Sequence, residues 1–198
     1  MLQVENLTVA YGSLTAVDGL SFTLKAGDWL MLVGPNGAGK STAVKAIAQG
    51  LPYTGRVRWQ GADLRALPAA DRARLIGVLS QSNSVQYAYT VEEVVRLGRY
   101  AHERGFLSHR DADGDAQVER ALQATGLQEL RRASMLELSG GEIQRTFLAQ
   151  VFAQDPRLLI LDEPANHLDL KYQQHVFTLI GDWLRRGDRA VIAVVHDL

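Results

Sequence analysis

Residues 34–41 read Gly-Pro-Asn-Gly-Ala-Gly-Lys-Ser, a complete match to G-x-x-x-x-G-K-[ST], and no other segment constrains the fold of this chain so strongly. The motif works only at a strand-to-helix turn, and both flanks comply. Trp29 to Val33 is a continuous apolar run, which fits a strand covered on both faces. Ser41 to Gln49 reads as a helix stopped by Gly50 and Pro52. Backbone N–H groups of such a loop and of the helix N-terminus surround phosphate oxygens, and glycine lets the backbone approach them. Gly34, Pro35, Asn36, Gly37, Ala38 and Gly39, with Thr42 inside the helix, are therefore candidate phosphate-contacting residues. Lys40 is placed to pair with β- and γ-phosphates, and the Ser41 hydroxyl to ligate Mg²⁺. A glycine-rich turn that binds nothing is the alternative, and the full motif in full context argues against it. The expectation is a site for a nucleoside triphosphate.

Leu158 to Leu161 supplies a second apolar strand, ending in Asp162-Glu163. That position puts Asp162 at the strand's C-terminal end, where the Mg²⁺ site of a phosphate-loop protein lies. Glu163, one residue on, can orient or deprotonate an attacking water, so the expected chemistry is hydrolysis. In Leu138-Ser139-Gly140-Gly141-Glu142, a serine and two glycines precede a helix and form a second nest of free N–H donors. Two phosphate-binding surfaces in one chain make sense when the second serves the nucleotide held by another copy.

The remaining pattern places these motifs. Leu2, Val4, Leu7 and Val9, then Leu20, Phe22 and Leu24, alternate as half-buried antiparallel strands do. Val57 and Trp59 fall in a short strand, a short helix follows Pro68, and Ile76 to Leu79 is a strand. From Thr90, which forms a capping-box pattern with Glu93, helical spacing takes over. The charged stretch from Arg99 to Asp115 reads as an exposed connection; helices are expected over about 116–125 and 141–153. A last helix carries Val176, Leu179, Ile180, Trp183 and Leu184 on one face, and Ala190 to Val195 is a final strand. The order is α/β core (1–88 and 156–198) with a helical insertion (about 89–155).

Composition excludes several classes. The 198 residues carry 21 basic and 22 acidic side chains, which argues against a nucleic-acid binder with a broad basic surface. With no cysteine there is no disulfide framework and no cysteine-ligated metal. No apolar run reaches the roughly 20 residues that span a bilayer, and residues 1–10 do not read as a signal peptide.

The motifs, in this order, resemble the nucleotide-binding domain of the ATP-binding cassette (ABC) family, whose signature motif Leu138–Glu142 matches. The resemblance covers essentially the whole chain. It implies a phosphate-loop NTPase core with an N-terminal antiparallel β-subdomain and an inserted α-helical subdomain. It also implies ATP and Mg²⁺ as ligands and a head-to-tail pair of subunits. In that frame Tyr11 matches the aromatic residue that stacks on adenine. Gln81 matches the glutamine that contacts Mg²⁺ or water and links core to helical subdomain. Ser139, Gly140 and Gly141 match residues that touch the γ-phosphate held by the opposite subunit. Asn166 to Asp169 match the loop that communicates across the dimer, and His196 the histidine that contacts the γ-phosphate. Two positions depart from the family pattern: Ala165 stands where threonine is usual, and Ile143 where a polar residue is common.

Within the family, Tyr89 to His102 (TV-x-E-V-V-x-L-G-R-x-x-H) and the run Arg74 to Gln81 resemble importer ATPases for ferric siderophores, haem and cobalamin. That implies a transmembrane permease and a periplasmic or extracellular binding protein as partners, a place on the cytoplasmic face of a bacterial inner membrane, and no nucleic-acid partner. Other importers and exporters of the family remain open. A soluble ribosome-associated factor is a further alternative, because Glu163 to Asp169 resemble the wording of its loop, although such factors carry two cassettes and a charged linker and these residues show one of each motif. DNA-repair or chromosome ATPases carry a long coiled coil, for which the 98 residues without heptads from Lys40 to Leu138 leave no room. Family domains continue past the switch histidine, so residues 1–198 are expected to be a single domain truncated at its C-terminus. Ala190 to Val195 is then an interior strand lacking neighbours and covering helices, with poor stability if these residues stand alone.

Overall fold

The computed structural model describes residues 1–80, 88–103, 111, 113–164 and 170–195. Among them are eight strands and six helices in two sheets. The antiparallel sheet has the order β2 (Leu14–Leu24), β1 (Leu2–Tyr11), β4 (Thr54–Trp59), β5 (Ala62–Asp63). The parallel sheet has the order β3 (Trp29–Val33), β8 (Ala190–Val195), β7 (Leu158–Asp162), β6 (Ile76–Leu79). The alternation in the N-terminal strands sets their register: Leu2 lies opposite Leu24, Val4 opposite Phe22 and Leu7 opposite Leu20.

Helix α1 (Lys40–Ile47) is packed between the sheets. Its Val44, Ala46 and Ile47 meet Leu2, Val4, Leu7 and Val9 of β1 on one side, and Leu158, Ile160, Ile192 and Val194 on the other. The opposite face of the parallel sheet presents Leu159, Leu161, Val191 and Ala193 to α5 (Gly140–Gln154) and α6 (Leu170–Leu184). Successive strand residues face opposite ways, so β7 and β8 must be apolar at every position to satisfy both layers. For β7 the unbroken run means what it was expected to mean: Leu158 to Leu161 are fully buried.

The same expectation fails for β3. It lies at the sheet edge, and although Leu30 and Leu32 pack into the core, Met31 and Val33 are 41% and 48% exposed. An apolar run records the hydrophobicity of a strand, not whether a helix covers its second face. β8 is interior, as expected, but it does not lack neighbours or cover. It inserts between β3 and β7, pairs with both, and Ala190 to Val194 are buried.

Helices α3 (Val91–Leu97), α4 (Gly114–Ala124) and α5 enclose a separate cluster of Val91, Val94, Val95, Val118, Leu122 and Met135. Thr90 and Glu93 form the expected reciprocal cap at the start of α3. α5 serves two cores at once: Leu148 and Val151 face the parallel sheet, Ala149 and Ala153 the helical cluster. α2 (Ala69–Leu75) precedes β6. The stretch from Arg99 to Asp115 is not simply an exposed connection. Arg99 is 5% exposed, pairs with Asp111 at 2.6 Å and donates to the Ala153 carbonyl at 2.7 Å. Arg99 and Asp111 satisfy each other and a helix end, which composition alone cannot distinguish from solvation.

Candidate nucleotide site

The loop 34–39 leaves β3 at the C-terminal edge of the parallel sheet, beside Val195 of β8, and enters α1. Gly37 and Gly39 have φ of +81° and +82°. At Gly39 glycine is required twice, because a Cβ there would stand 2.1 Å from the Ala16 carbonyl oxygen of β2. Pro35, Asn36, Gly37 and Ala38 are exposed, while Gly34, Gly39, Lys40, Ser41 and Thr42 are half-buried. Lys40 Nζ donates to the carbonyls of Gly34 (2.5 Å) and Pro35 (2.9 Å), so the ammonium is held across the mouth of its own loop.

The Ser41 hydroxyl donates to Asp162 Oδ1 at 3.1 Å, across 121 residues of sequence. Asp162 ends β7 and is 6% exposed; Glu163 follows at 5%. Glu163 adopts φ +57°, a sparsely populated conformation for a residue with a side chain, and its N–H donates to the Val194 carbonyl at 3.1 Å. The backbone therefore turns sharply at Glu163 while still fastened to β8. A cation between the Ser41 and Asp162 oxygens would find the hard hydroxyl and carboxylate donors that Mg²⁺ takes, alongside nucleotide phosphates.

Ser139 caps α5. Its N–H and hydroxyl both donate to Glu142 Oε2, at 2.8 and 2.7 Å, and the Glu142 N–H donates back to Ser139 Oγ at 3.4 Å. The two bonds from Ser139 hold the Glu142 carboxyl below its ordinary pKa. Ser139 and Gly140 are exposed, Gly141 half-buried. Tyr11 is an exposed ring at the end of β1, opposite Leu14.

Four of the expected residues, Lys40, Ser41, Asp162 and Glu163, thus converge at one sheet edge. Tyr11 and Ser139 make no hydrogen bond to that group among the described residues. Gln81, Ala165, Asn166 to Asp169 and His196 lie outside the described residues. Two contacts escaped the sequence reading: the cap that Glu142 makes with Ser139 and a bond from Gln144. Glu142 could have been found from the S-x-x-E capping pattern. Gln144, whose Nε2 donates to the Pro164 carbonyl at 3.1 Å, ties α5 to the turn after Glu163, and no local signal announces it.

A family model described as "ABC transporter" matches residues 17–166. The chain belongs to the ABC transporter family. It is an ATPase cassette of that family, with the fold expected from its motifs. The hemin import ATP-binding protein HmuV of Jannaschia sp. is 39% identical over 206 aligned residues, covering all of this chain and 73% of that protein. The ferric enterobactin transport ATP-binding protein FepC of Escherichia coli is 36% identical over 198 residues, with the same coverage. An uncharacterized ABC transporter ATP-binding protein of Bacillus subtilis, YvrA, is 38% identical, and this chain spans 45% of its length. Among solved structures, CbiO1 of Clostridium perfringens, part of the ABC transporter complex CbiONQ, superposes with a TM-score of 0.84 at 25% identity. That match covers 99% of this chain and 78% of CbiO1.

Proposed function

We propose that this ABC cassette is the ATP-hydrolysing subunit of an importer for a ferric siderophore, haem or cobalamin-type substrate, working as a head-to-tail pair of subunits. The observation that carries the catalytic part is the Ser41–Asp162 hydrogen bond, which joins the phosphate loop to the end of β7 with Glu163 buried beside it. The substrate class is supported by the names of the relatives and by the pattern Tyr89 to His102.

In this reading residues 34–42 cradle the phosphates of ATP, and Lys40 exchanges its two loop carbonyls for β- and γ-phosphate oxygens. Ser41 and Asp162 hold Mg²⁺ together with Gln81, and the bound cation supplies neutralisation of the phosphate charge. Glu163 orients the attacking water and takes its proton; His196 contacts the γ-phosphate. Tyr11 stacks on adenine. Ser139, Gly140 and Gly141 of the second copy close over the γ-phosphate. The core (1–88 and 156–198) and the helical subdomain (about 89–155) move relative to each other, and the Gln81 region passes the motion to a transmembrane permease. The permease receives its cargo from a substrate-binding protein, and the cassette sits on the cytoplasmic face of the membrane.

Glu163→Gln tests the chemistry. ATP binding should persist, turnover should fall by about 10²–10⁴-fold, and an ATP-bound dimer should accumulate on size exclusion. Undiminished steady-state hydrolysis would sink the assignment. The substrate class is tested by ATPase stimulation of the reconstituted transporter with each ligand-loaded binding protein, and no response to any of the three ligand classes refutes it.

A further inference from the structure

The segment Gly98-Arg99-Tyr100-Ala101-His102 takes no part in the chemistry above, yet it is among the most tightly fastened in the molecule. Gly98, at the end of α3, lies so close to α5 that a Cβ would stand 2.1 Å from the Gln150 carbonyl oxygen. Arg99 Nη1 donates to the Ala153 carbonyl, and His102 Nε2 lies 2.8 Å from the Gln154 carbonyl oxygen. A carbonyl only accepts, so Nε2 carries the proton. Both oxygens belong to the last turn of α5, where carbonyls have no partner inside the helix and cationic groups are favourable.

The same turn is fastened to the core. Arg74 Nε of α2 donates to the Ala101 carbonyl at 2.8 Å. Gln154 Nε2 donates to the Ile76 carbonyl at 2.9 Å and to the Ala73 carbonyl. Ile76 begins β6, the strand that leads to Gln81. One knot therefore ties the C-terminus of α5, the 99–102 turn and the α2–β6 junction.

We infer that Arg74, Arg99, His102 and Gln154 form the pivot of α5 and are positioning residues for hydrolysis, because they set where Ser139 is carried at the other end. This rests on the role proposed for Ser139 in the partner's site. α5 has 15 residues, a lever of about 22 Å at 1.5 Å per residue. An angular slack of about 3° displaces its N-terminus by about 1 Å, and a misplacement of that size can cost about 10²-fold in rate. The apolar contacts of α5 on both cores hold it in place but are non-directional. The bonds at its last turn fix its angle from that end, as those of Gln144 to Pro164 and Arg145 to Thr125 do nearer its start.

The experiment uses Arg74→Ala/His102→Ala, which removes two of these bonds and leaves the buried Arg99–Asp111 pair intact, and Arg74→Ala/His102→Gln, which restores an N–H donor at position 102. Four quantities are read: equilibrium affinity for a fluorescent ATP analogue, kcat for ATP hydrolysis, the thermal midpoint, and the ATP-trapped dimer fraction in a Glu163→Gln background. The pivot predicts affinity within twofold of the unaltered protein, kcat reduced 10–100-fold, a smaller dimer fraction, and partial recovery with His102→Gln. A kcat within twofold of the unaltered protein overturns it. So does a parallel fall of affinity, kcat and thermal midpoint, which marks a structural role only. If the unaltered protein fails to hydrolyse ATP, or Glu163→Gln alone fails to dimerise, the function proposed above falls and takes the pivot with it. Pivot variants that match a competent parent refute the pivot alone.

Discussion

Alanine at Gly39 and alanine at Gly37 should have very different consequences, although the two glycines have nearly the same φ. Both substitutions incur the left-handed penalty of about 1–2 kcal/mol, partly offset by about 0.4–1 kcal/mol from restricting the unfolded chain. At Gly37 nothing lies within 4 Å of the added methyl, so the net loss should be about 0–1.5 kcal/mol. At Gly39 the methyl would stand 2.1 Å from the Ala16 carbonyl oxygen and 3.3 Å from Val17 Cγ2. Relief requires the loop and β2 to part, and overpacking of this kind adds about 1–3 kcal/mol. The net cost at Gly39 is therefore about 1–4.5 kcal/mol, about 1–3 kcal/mol more than at Gly37. For a chain of this length that gap corresponds to thermal midpoints separated by about 2–12 °C. Scanning calorimetry of the two variants measures the gap, and ATP affinity measures its functional counterpart, with Gly39→Ala weakening binding more than tenfold beyond Gly37→Ala. Coincident midpoints would refute the reasoning, because they would mean that backbone conformation alone selects glycine and that the loop is not pressed against β2.

Two further outcomes follow from buried charge. Arg189 Nη2 donates to Asp155 Oδ1 at 2.6 Å, its side chain is 9% exposed, its guanidinium lies 4.8 Å from the Trp183 ring centre, and burial pulls its pKa down. Asp155 has φ +54°, which asparagine tolerates, so Asp155→Asn removes only the charge and should cost about 1–3 kcal/mol in urea unfolding; an unchanged midpoint would show the pair to be energetically idle. Asp111 is held below its ordinary value of 3.8, chiefly by the bond from Arg99. A depressed carboxyl stabilises the fold fully above its unfolded pKa and loses that contribution as pH falls through the folded one. Hydrogen exchange at the 99–102 turn should accelerate below about pH 4, and Asp111→Asn should flatten that acid dependence; a profile identical to that of the parent would contradict it.

What could be read in the sequence was whatever is local. The phosphate loop, its flanking strand and its helix lie within one continuous segment, and Asp162-Glu163 follows directly on its strand, so spacing sufficed. The strands and helices were legible for the same reason: Leu2 with Val4 and Val176 with Ile180 repeat at the periods of strand and helix. The failures are all non-local. β3 and β7 carry similar apolar runs, and only strand order decides that one is an edge and the other is covered twice. Arg99 sits in a polar stretch whose composition resembles a solvated loop; its burial depends on α5, more than 40 residues away. The Gln144–Pro164 bond and the Gly39–Ala16 contact likewise join segments that have no pattern in common.

The capping role observed for Ser139 is compatible with the phosphate-binding role proposed for it. The cap of α5 uses Ser139 Oγ as an acceptor, from the Glu142 N–H, whereas a γ-phosphate bound by the opposite copy would need the same oxygen as a donor. A hydroxyl has one proton and two lone pairs, so the demands fall on different parts of one group. Here the proton is given to the Glu142 carboxylate. Turning it towards phosphate exchanges one charge-assisted O–H···O⁻ bond for another and leaves the backbone cap in place. Glu142 would keep the Ser139 N–H as a partner throughout. In the proposed head-to-tail pair the helix end would not need rebuilding on closure, and what closure would require of α5 is a correct position. That places the demand on the far end of the helix, where Arg99 and His102 hold the last carbonyls.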